Sequence, residues 1–194
     1  GAAELKKGKP LDGVVCYVGI GSNLGDPKKN GQEAVDFLAG TDHICLTRIS
    51  SWYRTQPVVT GDGSPETADR IRRLKDQPWF INAVVEIKTI LPVRDLFMAL
   101  KRIEHKMGRT PGEKDGPRLI DLDLLFYGQD IVNEPDLVVP HPRAHQRRFV
   151  LEAMNEIASF YIHPVFGVSI RGLKDRLDDH HLVFRDGTTD SEGE

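Results

Sequence analysis

A chain of 194 residues with 39% hydrophobic content can form a domain burying about 70% of its unfolded surface, so neither disulfides nor a metal are required to staple it. A formal net charge of -3 argues against a general nucleic-acid binder, whose basic face pushes the balance positive. No apolar run reaches the ~18 residues of a membrane span, residues 1–13 lack the apolar centre of a secretion signal, and Cys16 and Cys45 lie in apolar strand-like runs as small buried hydrophobes, so a cytoplasmic protein without nucleic-acid or membrane partners is expected.

After a flexible leader over 1–13, Val14-Val15-Cys16-Tyr17-Val18-Gly19-Ile20 is a β-branched run that predicts a buried strand. Gly19, Gly21 and Gly25 imitate a dinucleotide fingerprint only loosely, and no GxxxxGK[ST] loop occurs, so this stretch reads as a tight turn into a helix. Asp26 is placed to cap that helix and Pro27 to open it; Ala34, Val35 and Leu38 recur on its inner face and Gly40 ends it. Residues 43–53 have strand character and lead into Arg54-Thr55-Gln56-Pro57-Val58. The polar stretch 60–76 predicts a long surface excursion with one or two helical turns, its Arg70, Arg72, Arg73 and Lys75 a solvated face. Residues 79–87 predict a strand with Phe80, Asn82 and Val84 on one face, and Pro92 opens a helix whose Val93, Leu96, Phe97, Leu100 and Ile103 keep the 3.6-residue period up to Gly108.

Gly116-Pro117-Arg118-Leu119-Ile120-Asp121-Leu122-Asp123-Leu124-Leu125 then sets two carboxylates into an apolar strand. Side chains alternate across a strand, so Asp121 and Asp123 share one face about 7 Å apart and repel by roughly 2 kcal/mol at an effective dielectric near 20. A cation between them relieves that repulsion. Hard oxygen donors without histidine or cysteine in register favour magnesium, which binds through one or two carboxylates plus substrate phosphates, and Arg118 adds a phosphate-seeking fork. Beyond it come short extended pieces, Val139-Pro140-His141-Pro142-Arg143, a helix through Phe149, Leu151, Met154 and Ile157, and an acidic disordered tail over 186–194. His141 and His145 form an HxxxH pair, but no third zinc ligand is evident. The order strand, helix, strand, strand, helix, strand predicts an α+β, ferredoxin-like βαββαβ sandwich over a single domain, 14–185: an antiparallel sheet with helices packed on one face and extra C-terminal helices.

The Arg118-x-x-Asp121-Leu122-Asp123 element, together with Gly21-Ser22-Asn23-Leu24-Gly25, Tyr53-Arg54-Thr55, Phe80-x-Asn82-Ala83 and Val139-Pro140-His141, resembles the 6-hydroxymethyl-7,8-dihydropterin pyrophosphokinases of folate biosynthesis over roughly residues 14 to 160. The resemblance implies a ferredoxin-like enzyme that moves the β,γ-pyrophosphoryl group of ATP onto the pterin hydroxymethyl, giving AMP. It implies two magnesium ions on Asp121 and Asp123, with Arg109 and Arg118 offsetting charge on the moving group. Phe80 and Phe149 would stack on the pterin, with Asn82 and the Thr55 backbone reading its polar edge and Val58 beside them. Glu104, Arg118, His141 and Arg147 would take ATP. The substrates expected are small molecules, and a monomer suffices. Two departures from the family stand out: the loop 110–115 is short, with one lysine and no aromatic, and Pro142 follows His141. The 60–76 excursion is a candidate replacement cover. Two other classes remain open, a two-metal nucleotidyltransferase on the same fold and a non-enzymatic ferredoxin-like RNA-binding module.

Overall fold

The computed structural model describes residues 12–112, 114–178 and 183–187; residues 1–11 of the expected leader and 188–194 of the expected tail lie outside them. Strand β1, Val14–Ser22, runs through the centre of the main sheet. Helix α1, Pro27–Ala39, starts on Asp26, whose carboxylate accepts the Lys29 N–H at 3.2 Å. β2, Ile44–Ile49, and β3, Tyr53–Thr55, follow, then α2, Pro65–Lys75, and β4, Phe80–Thr89. α3, Val93–Lys106, leads by way of the 109–118 loop to β5, Asp121–Tyr127, which carries both aspartates. A small hairpin, β6 Val132–Glu134 and β7 Leu137–Val139, precedes α4, Arg148–Ala158, α5, Ile170–Arg176, and β8, Val183–Arg185.

The main sheet is antiparallel and ordered β5-β1-β4-β3-β8, with β2 pairing the other end of β4. One face carries Cys16, Val18, Ile20, Val85, Ile87, Leu122 and Leu124 against Ala34, Val35 and Leu38 of α1 and Leu96, Leu100 and Ile103 of α3. This is the core that the helical and strand periods predict. The other face is not left to solvent. Tyr17, Tyr53, Val84, Leu125 and Phe126 pack there against Val150, Leu151, Ala153, Met154 and Ile157 of α4. Helices therefore cover both faces of the sheet, where one face was expected; α4 has an apolar stripe of its own that needs a sheet face to bury it. A register shift on β5 opposite Tyr17 and Val18 lets neighbouring Leu125 and Phe126 both join this second core.

The 60–76 excursion is more ordered than expected. α2 is an 11-residue helix with Pro65 in its first turn and Arg72, Arg73 and Lys75 in its last, where cations suit the helix dipole. Its single fully buried anchor is Leu74. Asp186, assigned to the tail, is instead held: its N–H donates to the Trp52 carbonyl at 2.7 Å and its carboxylate pairs with Lys28 at 2.8 Å. Among the described residues no helix is long and apolar enough to cross a membrane.

Candidate active site

The side chains that share the α4 face change character along each strand. On β1, Tyr17 gives way to Gly19 and Gly21; on β4, Val84 gives way to Asn82; on β5, Leu125 gives way to Asp123 and Asp121. The register sets these in rows. Gly21 lies between Asn82 on one side and Asp121 on the other, and Gly19 lies between Val84 and Asp123. A row of three strands spans about 10 Å, so an acid pair and an amide face one another across a floor without side chains. The resulting cavity, about 270 Å³, is lined by Thr55, Val58, Phe80, Asn82, Arg109, Arg118, Asp121, Asp123, Arg147 and Phe149, which are ten of the twelve residues singled out in the sequence.

On the acid side, the Asp121 and Asp123 side chains keep 34% and 28% of their surface, turned to the cavity. Arg109 Nη2 stands 3.6 Å from Asp121 and Arg147 Nη1 stands 3.5 Å from Asp123, ion pairs too long for hydrogen bonds. Burial, and then the Asp123 charge, push the Asp121 carboxyl up to about 6 despite Arg109. Burial also raises Asp123, with Arg147 opposing. Two partly buried carboxylates, both with pKa raised by burial, form a site short of positive charge. Their hard oxygen chemistry fits magnesium. Among the described residues no group of three or more His, Cys, Asp or Glu is arranged to hold a metal, so phosphate oxygens or water would complete the shell.

Glu104 and His141 do not line the cavity. Glu104 is only 2% exposed and lies beneath β5. Its Oε2 accepts the Leu122 N–H at 3.1 Å and pairs with Arg109 Nε at 3.4 Å, and its Oε1 pairs with Lys101 Nζ at 3.0 Å. It thus props the strand between the two aspartates and aims Arg109. His141 Nδ1 accepts the Arg143 N–H at 3.2 Å, and burial followed by the Arg147 and Arg143 charges drops its pKa to about 4, leaving a neutral ring. His145 packs on His163 and Phe166. Arg118 Nη1 donates to its own loop carbonyls, Pro117 at 3.1 Å and Gly116 at 3.4 Å.

On the opposite wall, Asn82 Nδ2 donates to Thr55 Oγ1. Both residues are buried, so this bond fixes the amide and leaves its carbonyl over Gly21. A Cβ on Gly21 would stand 2.5 Å from Asn82 Oδ1. Phe80 and Phe149, half-buried, complete the wall. Thr55 therefore contributes its hydroxyl as a brace, a role that its expected backbone contact did not include.

Sequence reasoning missed Gly19 and Gly21 as the floor, and Gln56, Lys114, Asp115 and Arg143 as lining. The glycines had a signal: two of them at period two inside a strand mark close approach of a ligand. Arg143 had none beyond its place among prolines.

Residues 17–159 match the family model described as 7,8-dihydro-6-hydroxymethylpterin-pyrophosphokinase (HPPK). The chain is 36% identical over 143 residues to the 2-amino-4-hydroxy-6-hydroxymethyldihydropteridine pyrophosphokinase of Bacillus subtilis, covering 74% of this chain and 77% of that protein. It is 34% identical over 178 residues to the folic acid synthesis protein fol1 of Pneumocystis carinii, covering 92% of this chain but only 22% of that longer protein. A Plasmodium falciparum HPPK-DHPS chain crystallised with pteroate superposes with a TM-score of 0.61 at 16% identity over 84% of this chain and 42% of its own length, a likeness of fold. By the family model and the Bacillus subtilis relative, this chain belongs to the 7,8-dihydro-6-hydroxymethylpterin-pyrophosphokinase family.

Proposed function

We propose that the protein transfers the pyrophosphoryl group of ATP to the hydroxymethyl group of 6-hydroxymethyl-7,8-dihydropterin, dependent on magnesium, giving AMP and the pterin diphosphate for folate synthesis. The observation that carries this reading is one cavity with two walls: the desolvated pair Asp121 and Asp123 with Arg109, Arg118, Arg143 and Arg147 on one side, Asn82, Thr55, Phe80 and Phe149 on the other. The order β5-β1-β4 flanked by β2 and β3, with α1 and α3 as crossovers, supports a ferredoxin-like βαββαβ core to which α4 and α5 are additions.

Moving a pyrophosphoryl group asks for alignment and charge neutralisation more than covalent help. Phe80 and Phe149 would sandwich the flat pterin ring, and the Asn82 amide, locked by Thr55, would read its polar edge. Ring recognition across Gly21 delivers the hydroxymethyl oxygen to the acid wall, about 10 Å away along the row of strands. Asp121 and Asp123 would hold two magnesium ions, which when bound neutralise phosphate charge and lower the pKa of the attacking alcohol. Arg109 and Arg147, now paired loosely with the aspartates, would turn to phosphate oxygens, and Arg118 would leave its loop carbonyls to do the same. Neutral His141, near the Arg147, Arg143 and Asp121 charges, would take part in holding ATP, and Glu104 holds Arg109 and the β5 backbone in place. The free thiols of Cys16 and Cys45 suit a reducing, cytoplasmic setting.

Incubation with ATP, magnesium and hydroxymethyldihydropterin is expected to yield AMP and pterin diphosphate in equal amounts, read by anion-exchange chromatography. ADP would overturn the reading, and pyrophosphate would shift it to a nucleotidyltransferase. An RNA-binding sheet is disfavoured by Asp121 and Asp123 on the face that bases would need.

A further inference from the structure

The short 110–115 loop has no aromatic, yet its described residues Lys114 and Asp115, with Arg118 beyond it, are tied to distant chain at two points. Asp115, at φ 60°, accepts from both the N–H and the hydroxyl of Thr60, at 3.2 and 2.9 Å. Arg70 of α2 adds a 2.7 Å bond to the Lys114 carbonyl and a 3.3 Å bond to the Thr60 carbonyl. The second tie is buried. Gln77 Nε2 donates to the Asp115 carbonyl at 2.7 Å, while Gln77 Oε1 accepts from Asn23 Nδ2 at 3.0 Å. Asn23 then clamps the backbone of Arg118 from both ends: its Oδ1 accepts the Arg118 N–H at 2.8 Å and its own N–H donates to the Arg118 carbonyl at 3.0 Å. Its amide also donates to the Pro78 carbonyl at 2.8 Å, two residues before Phe80.

We propose that Gln77 and Asp115 are positioning residues for pyrophosphoryl transfer: through Asn23 they register the Arg118 backbone against the start of β4, and through Thr60 and Arg70 they tie the 114–118 stretch to the 60–75 segment. The chain of bonds runs from the wall assigned to the pterin to the arginine assigned to phosphate, so it sets the distance between the two substrates. A buried amide with both of its ends paired has one orientation. Gln77 is 8% exposed, does not line the cavity, and bonds the Asp115 carbonyl and the Asn23 amide, so it acts only through what it holds. The inference rests on the proposed reaction for its kinetic arm but not for its structural arm.

The test uses the full chain with Gln77→Leu, Asp115→Ala and Asp115→Asn, measuring kcat, both KM values, melting temperature and residue-resolved hydrogen exchange. Gln77→Leu is expected to lower kcat about 10- to 100-fold with KM changes under about threefold, since a displacement near 1 Å costs about that much in alignment. The Arg118 amide should exchange at least about tenfold faster while Val85 and Ile87 of β4 keep their protection. Asp115→Ala is expected to lower kcat about fivefold, and Asp115→Asn, which retains an acceptor for Thr60, to restore it within about twofold. Unchanged Arg118 exchange in Gln77→Leu overturns the clamp whether or not the wild type makes AMP. Faster exchange with unchanged kcat overturns the positioning role. A kcat loss that only follows a lower folded fraction, read from melting, overturns it as well. A wild type with no AMP formation but the expected exchange pattern rejects the proposed reaction and leaves the clamp standing.

Discussion

Two halves of one sheet face use the same strands for opposite ends. Under α4, Tyr17, Val84 and Leu125 are large and apolar, and they close a dry core with Leu151 and Met154. Two to four residues further along those strands, toward the other end, Gly19, Gly21, Asn82, Asp123 and Asp121 leave a hollow. Backbone pairing of β1 with β4 is continuous across the boundary and that with β5 shifts by one residue beside Leu125, so side-chain size and charge mainly decide where packing stops and the site begins. The hollow is also where desolvation is least favourable: the closed half buries apolar groups at a gain, while the open half holds two acids whose pKa is raised by burial.

Breaking the open half should hit chemistry first. Asp123→Ala is expected to reduce turnover by more than about 10³-fold with an unchanged circular dichroism spectrum, because one carboxylate cannot hold the charge that two share; a near-normal rate would remove its role. Gly21→Ala comes next. Its methyl would meet Asn82 Oδ1 at 2.5 Å, so the amide must leave its bond to Thr55, and the pterin KM should rise about 10- to 100-fold while the ATP KM stays put. Equal rises for both substrates would show that the floor does not separate two walls.

The closed half should respond in stability instead. Leu151→Ala, at a fully buried position of α4, is expected to cost about 2 to 5 kcal/mol in urea unfolding while kcat per folded molecule stays within about twofold. The smallest effect sharpens the contrast through pH. The Asp121 pKa rises from an unfolded value near 3.9 to about 6 in the fold, so the folded state binds more protons, and stability falls as pH rises between those values and levels off above about 6. Asp121→Asn should therefore be inactive yet more stable than wild type above pH 6, by about 1 kcal/mol after allowing for its solvent-facing side, with the gain fading below pH 4. Magnesium affinity of the wild type, read by calorimetry, should weaken as pH falls through about 6.

Much of this could be read along the chain because the signals are local. The Asp26-Pro27 start, the 3.6-residue stripes of α1 and α3 and the period-two pair Asp121 and Asp123 each depend on neighbours within a few residues. The length of α2 was underread: its Pro65 start and basic last turn were present, but a helix with a single buried leucine has almost no apolar period to reveal it. Glu104 shows the complementary limit. A carboxylate on α3 carries no mark in sequence of the strand it braces, and only burial under β5 shows that Glu104 accepts the Leu122 N–H.

By itself, then, the sequence determined the strands and helices with a clear period, β1, α1, β4, α3 and β5, and that Asp121 and Asp123 share a strand face, since side-chain alternation and helical period are properties of contiguous residues. Only the tertiary structure decided that Gly19 and Gly21 lie between those acids and Asn82, that α4 covers half of that sheet face and leaves the rest open, and that Gln77 and Asn23 grip Arg118. Those facts depend on strand register and on partners 54 to 95 positions apart, which no local pattern encodes.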